Sequence, residues 1–116
     1  MNLTKAKAFC RKLPGATEDI KWESNLVFSV GEKMFAVTGA DNSERGLSFK
    51  VDDDRFLELT DRPGIIPAPY LARAKWVYIE DPKAISDAEV AELLQRSYEL
   101  VFAKLTKKLQ REIQGT

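Results

Sequence analysis

The side chains that could do chemistry in this chain form three small groups. Asp52-Asp53-Asp54 sets three carboxylates in a row, Lys21-Trp22 and Lys75-Trp76 each set a cation beside an indole, and Cys10 is the one thiol. Adjacent carboxylates could hold calcium or magnesium, but an EF-hand loop needs alternating ligands, a central glycine and a distal Glu, and that spacing is missing. The same run just before Phe56-Leu57-Glu58-Leu59 reads more simply as the N-cap and first turn of a helix, where acids suit the macrodipole. A cation next to an aromatic ring is what a surface stacking single-stranded bases would offer. Burial in strands is the alternative for both tryptophans, and the preferred one, because an indole buries a large area. Cys10 falls on the apolar face of a helix with no base near it, so a buried structural thiol is expected rather than a nucleophile.

The chain contains no histidine, which removes the commonest general base, the commonest transition-metal ligand and any Ser-His-Asp or Cys-His arrangement. Neither a Gly-x-x-x-x-Gly-Lys-Ser/Thr phosphate loop nor a Gly-x-Gly-x-x-Gly fingerprint occurs. Every carboxylate cluster lies on an expected loop or helix start, where solvation and capping account for it. No enzyme activity, cofactor or metal is therefore expected.

The elements that must position these residues are marked by changes of period. Leu3, Ala6, Cys10 and Leu13 share a helical face, and Leu13-Pro14-Gly15 stops that helix. From Thr17 to Val51 the period is two. Strands are expected over Thr17 to Trp22, over Leu26 to Val30, and over Met34 to Thr38, with Met34, Ala36 and Thr38 on one face and Phe35 and Val37 on the other. Gly31-Glu32-Lys33 is a hairpin connection, and the stretch from Gly39 to Gly46 is a loop rich in turn formers. Leu47, Phe49 and Val51 alternate cleanly with Ser48 and Lys50, as in an antiparallel sheet with one face on helices and one toward solvent. A short helix follows over about 53–60, ended by Arg62-Pro63-Gly64. Pro63, Pro67 and Pro69 forbid a regular helix or a central strand around them. A helical turn over 69–73 leads to a strand, Trp76 to Ile79, apolar on both faces. Ser86 and Glu89 form a capping box, and apolar residues from Val90 to Leu109 keep helical spacing. This last region is either one long helix or two, with a break near Arg96-Ser97 and Ser97 as the second cap. Lys104, Lys107, Lys108 and Arg111 crowd its C-terminal turns, where the dipole favours cations.

These pieces make one α+β domain over residues 1–116, with an antiparallel sheet of about five strands packed against N- and C-terminal helices. At 44% hydrophobic and 31% charged residues the chain can bury a core and stay soluble. No run approaches the roughly 18 apolar residues of a membrane span. The opening Met-Asn-Leu-Thr-Lys-Ala-Lys lacks the apolar region of a signal peptide. A lone cysteine adds to the expectation of a reducing cytoplasm. Lys+Arg and Asp+Glu both number 18, so the formal charge is zero, but it is unevenly spread. Residues 52–61 carry Asp52, Asp53, Asp54, Glu58 and Asp61 against Arg55, whereas 62–79 carry Arg62, Arg73 and Lys75 and no acid. Solvated faces with helix-dipole bias are the plain reading of such blocks.

Several motifs taken together resemble the MmcQ/YjbR family. They are Leu13-Pro14-Gly15 with Glu18 and Trp22, the segment Phe28-x-Val30-Gly31-x-Lys33-x-Phe35-Ala36, Pro67-Ala68-x-Tyr70 leading to Lys75-Trp76-Val77, and Ser97-Tyr98-x-Leu100-Val101. The similarity runs from about residue 3 to 110. It implies a compact α+β domain with a shape likened to frataxin-type and secretion-chaperone-like folds. Members are small bacterial proteins often described as binding DNA through a double wing, with no established catalytic residues. The matching wings here are Gly31-Glu32-Lys33 and Gly39 to Gly46, which carry Glu32, Asp41 and Glu44 against Lys33 and Arg45. DNA binding on this reading would be weak and salt-sensitive, with phosphate contacts from Lys33, Arg45, Lys50, Arg62, Arg73 and Lys75. The competing reading is a protein-interaction or adaptor module that takes a protein partner on an exposed sheet face or edge. A monomer or weak dimer suits either.

Overall fold

A computed structural model of the chain describes residues 1–22, 24–39 and 46–115. Among them are four α-helices and one antiparallel sheet of six strands. Helix α1 spans Leu3–Lys12, strands β1 to β4 span Ala16–Lys21, Asn25–Val30, Lys33–Gly39 and Leu47–Lys50, and helix α2 spans Asp53–Thr60. Strand β5 is Ile65–Pro67, a 3₁₀ turn covers Ala72–Ala74, strand β6 is Trp76–Ile79, and α3 and α4 span Asp87–Phe102 and Lys107–Gln114. The strand order is β1-β2-β3-β4-β6-β5.

The sheet has one strand more than expected. The addition is β5, whose three residues end at Pro67 and pair only with β6. A proline has no N–H to give a ladder, so an edge is where such a strand can sit. Strand β6 lies between β5 and β4, in keeping with its two apolar faces.

Helices α1 and α3 cover one face of the sheet. There Phe28, Val30, Leu47, Phe49, Val51, Val77 and Ile79 join Ala6 and Cys10 of α1 and Val90, Leu94, Tyr98 and Val101 of α3 in a single core. Cys10 is fully buried, and burial pushes its thiol up to about 12, so it is protonated and inert at neutral pH. Tyr98 meets Phe35 edge-on at 5.6 Å and donates its hydroxyl hydrogen to the carbonyl of Pro14 (2.5 Å), fastening the end of α1.

The expected alternation of β3 breaks at a bulge. Phe28 pairs with Ala36 but Ser29 with Met34, which leaves Phe35 without a partner on β2. Phe35 and Ala36 therefore both enter the core, while Met34 and Val37 both line the other face. Ser97 explains how this is tolerated. Its hydroxyl donates to the Phe35 carbonyl (2.7 Å) and accepts from the Lys50 N–H (3.0 Å), bridging β3 and β4 just beyond their last ladder pair, Ala36 with Phe49. Ser97 is thus a buried bridge in mid-helix and not a cap. The C-terminal region does divide into two helices, but at residues 103–106, where Thr106 Oγ1 accepts from the Leu109 N–H and caps α4. That places Lys107 and Lys108 in the first turn of α4, without an acid there, where the dipole disfavours cations.

Candidate nucleic-acid interface

A meander of antiparallel strands sends successive hairpins to opposite ends of the sheet, and this sorts the candidate cations. The Gly31-Glu32 turn, with φ of 57° and 68° at its two residues, joins β2 to β3 at one end. Strand β3 then runs seven residues, roughly 20 Å at about 3.3 Å each, to Gly39 at the other end. The two proposed wings thus leave from opposite ends of the sheet. Residues 40–45, which include Asp41, Glu44 and Arg45, lie outside the described residues.

Lys33 opens β3, Lys50 closes β4, and Lys50 pairs with Trp76, the residue after Lys75. Arg73 belongs to the 3₁₀ turn just before. The topology therefore gathers Lys33, Lys50, Arg73 and Lys75 at the Gly31-Glu32 end. Leu105 and Leu109 pack so closely on Gly31 that a Cβ there would meet them at 2.7 and 2.9 Å. This brings the α3–α4 turn to the same end, with Lys104, Lys107 and Lys108. In sequence these cations stand more than 50 residues beyond Lys50, in the expected C-terminal helical region. Burial first, and then the charges of Lys104 and Lys75, lower the pKa of Lys50, with Asp53 acting in the opposite sense. The Lys50 ammonium donates to the Ala74 carbonyl, and the Lys75 ammonium sits 5.1 Å from the Phe56 ring centroid. Lys33 and Arg73 are exposed. Glu32 and the α2 acids Asp53 and Asp54 share this end. Asp52 holds the N-cap position of α2, but its carboxylate accepts from Arg96 at 2.8 and 2.9 Å instead of capping.

Arg62 is placed differently. It sits beyond α2 near Gly64, at the opposite end, and its guanidinium donates to both oxygens of Glu89 (2.7 and 2.8 Å) and to Glu58 (3.1 Å). Glu89 is held below the usual carboxylate range by those hydrogen bonds. Arg62 thus closes an ion-pair network between α2 and α3, with its charge already matched.

The sheet face opposite the helices holds a second feature. A groove of about 710 Å³ runs across it, floored by Met34, Val37, Ser48 and Tyr78 and walled by Trp22 and Asn25 on one side and Pro69-Tyr70-Leu71 on the other. Tyr78 lies so close to Gly46 that any Cβ there would collide with its hydroxyl. The two tryptophans part ways here. Trp76 is 4% exposed, beneath a 68–75 segment tied to β6 by Ala68 N–H to Trp76 O and Trp76 N–H to Leu71 O. Trp22 is 63% exposed, so the expectation of core burial fails for it. The physical reason is its place: β1 is an edge strand exposed from Thr17 onward, with even Ile20 uncovered, and φ of 51° at Trp22 turns the chain as that strand ends.

Among the described residues no helix is long and apolar enough to cross a membrane, and no three His, Cys, Asp or Glu side chains are grouped to hold a metal ion. A family model described as YjbR matches residues 11–100. The crystal structure of Deinococcus radiodurans protein DR2400, described as a DUF419 domain, is similar over 97% of this chain and 88% of its own, with 29% identity and a TM-score of 0.84. A Pseudomonas syringae protein shares the fold over 87% of this chain and 99% of its own, with 21% identity and a TM-score of 0.69. No curated protein matches the chain.

Proposed function

The chain belongs to the YjbR family, and from that premise we propose that it is a non-catalytic nucleic-acid-binding domain that contacts phosphates through the end of the sheet carrying Lys33, Lys50, Arg73 and Lys75. The observation that carries this reading is the convergence of those four residues from three separate stretches of chain, with Lys104, Lys107 and Lys108 added by the α3–α4 turn. Cations clustered on one end supply the electrostatic footprint of a phosphate surface even when the whole chain is neutral. Glu32, Asp53 and Asp54 at the same end oppose phosphate, so the expected affinity is micromolar or weaker at physiological salt. Arg62 is left out of the interface, because recruiting it would strip Glu89 of its partner.

The test is a fluorescence-anisotropy titration with labelled single- and double-stranded DNA at two salt concentrations. Four phosphate contacts should give a slope of log K against log salt of about −2.8 on the single strand and about −3.6 on the duplex. Lys33→Glu combined with Arg73→Glu, two exposed positions, should abolish binding, and Arg62→Gln should leave it intact in folded protein. Equal binding by the double variant would mean that phosphate is taken elsewhere.

A further inference from the structure

We infer that the groove on the open face of the sheet takes the unpaired bases of a single strand, stacked on Trp22 and Tyr70, while the strand's phosphates rest on the basic end. The inference builds on the phosphate reading above and names the form of nucleic acid that the domain prefers.

Its starting point is the backbone. Trp22 and Tyr70 sit at φ of 51° and 66°, a left-handed conformation that costs a bulky L-residue about 1 kcal/mol or more. Both rings are strongly exposed, Tyr70 completely so, and both wall the same groove from opposite sides. Neither ring gains core burial in return for the strain. Two flat rings held out of the core and facing one channel are what base stacking needs, and any base will serve because each has a π-face.

Charge narrows the occupant. No acidic side chain lines the groove among the described residues. One wall belongs to the acid-free segment 62–79 and leads directly into Arg73 and Lys75. On the other side Lys21 pairs with Asn25, so it shares the face that Asn25 lines. Asp19 shares that face too, but on the edge strand β1, where its carboxylate accepts from the Ile20 N–H. The groove crosses β3, β4 and β6, none of which is an edge strand of the sheet. A peptide there would find no free strand edge, and so no main-chain ladder to bind. Bases need none.

The experiment compares three ligands of equal length, about ten nucleotides: an oligothymidylate, the same chain made abasic, and a duplex. Trp22 emission reports stacking over the steady background of buried Trp76. The oligothymidylate should quench that emission and bind more tightly than the abasic chain. Trp22→Ala and Tyr70→Ala should each weaken oligothymidylate binding about tenfold and leave duplex binding unchanged, while Trp22→Phe should keep most of the affinity. Both side chains are exposed, so circular dichroism should show the variants folded. If the abasic chain binds as well as the oligothymidylate without quenching, the groove assignment is overturned and the phosphate reading stands. If no nucleic acid binds, both fall. A dimer in sedimentation that Trp22→Ala dissociates would also overturn it, by showing that a second copy covers the groove.

Discussion

The two faces of the sheet meet the same bulge in opposite ways. On the covered face the extra residue, Phe35, is absorbed: its ring packs on Tyr98 and its carbonyl is taken by Ser97. On the open face the bulge brings Met34 and Val37 into line along a groove that no helix fills. One irregularity thus adds contacts on one side and leaves an accessible surface on the other. The comparison teaches that the covered face carries the packing, and on the reading proposed above recognition falls to the open one, so substitutions on each should separate cleanly.

The largest test of that separation is Phe35→Ala. Removing a fully buried ring should cost about 3–5 kcal/mol in urea unfolding. A loss below about 1 kcal/mol would show the covered face to be as tolerant as the open one. Next comes Ser97→Ala, which strands the Phe35 carbonyl and the Lys50 N–H together and should cost about 1–3 kcal/mol. Smaller still is an acid-limb effect. Asp52 and Glu89 are held below their ordinary range by Arg96 and Arg62. Their contribution is therefore complete above about pH 5 and lost as pH falls through about 4 and below. Arg62→Gln with Arg96→Gln should flatten that limb in thermal melts taken across the range. The smallest effect belongs to the open face. Tyr70→Gly removes left-handed strain and little packing, so it should leave stability unchanged or raise it by up to about 1 kcal/mol. A clear loss would mean that Tyr70 packs on something and is not held ready for a ligand.

Much of the covered face could be read from residue order. Leu47, Phe49 and Val51 alternate as strands must, Ser86 and Glu89 announce the start of α3, and Gly31-Glu32 marks a tight hairpin. The capping box is half realised: the Ser86 hydroxyl accepts from the Glu89 N–H (3.1 Å), while the Glu89 side chain turns to Arg62. The bulge was not legible, because a one-residue slip in β3 depends on a serine 62 positions later in the chain. The exposure of Trp22 was hidden for a related reason. Side-chain size argues for burial, and the edge position of β1, which no element covers from Thr17 onward, overrides it. The grouping of cations lay between these cases. Lys33, Lys50 and Lys75 are scattered in sequence, yet antiparallel pairing of β3 with β4 and of β4 with β6 brings the start of β3, the end of β4 and the start of β6 to one end.

Ser97 also has a consequence for the order of events in folding. Its hydroxyl joins groups on β3 and β4, so the neighbouring strands can settle their final alignment only when the third turn of α3 has docked. The hairpins can form early, from contacts close in sequence, but the bulge should lock late. Ser97→Ala should accordingly speed unfolding while leaving the refolding rate nearly unchanged, the pattern of a contact absent from the transition state. If refolding slows instead, helix and sheet assemble together, and the serine belongs to the nucleus.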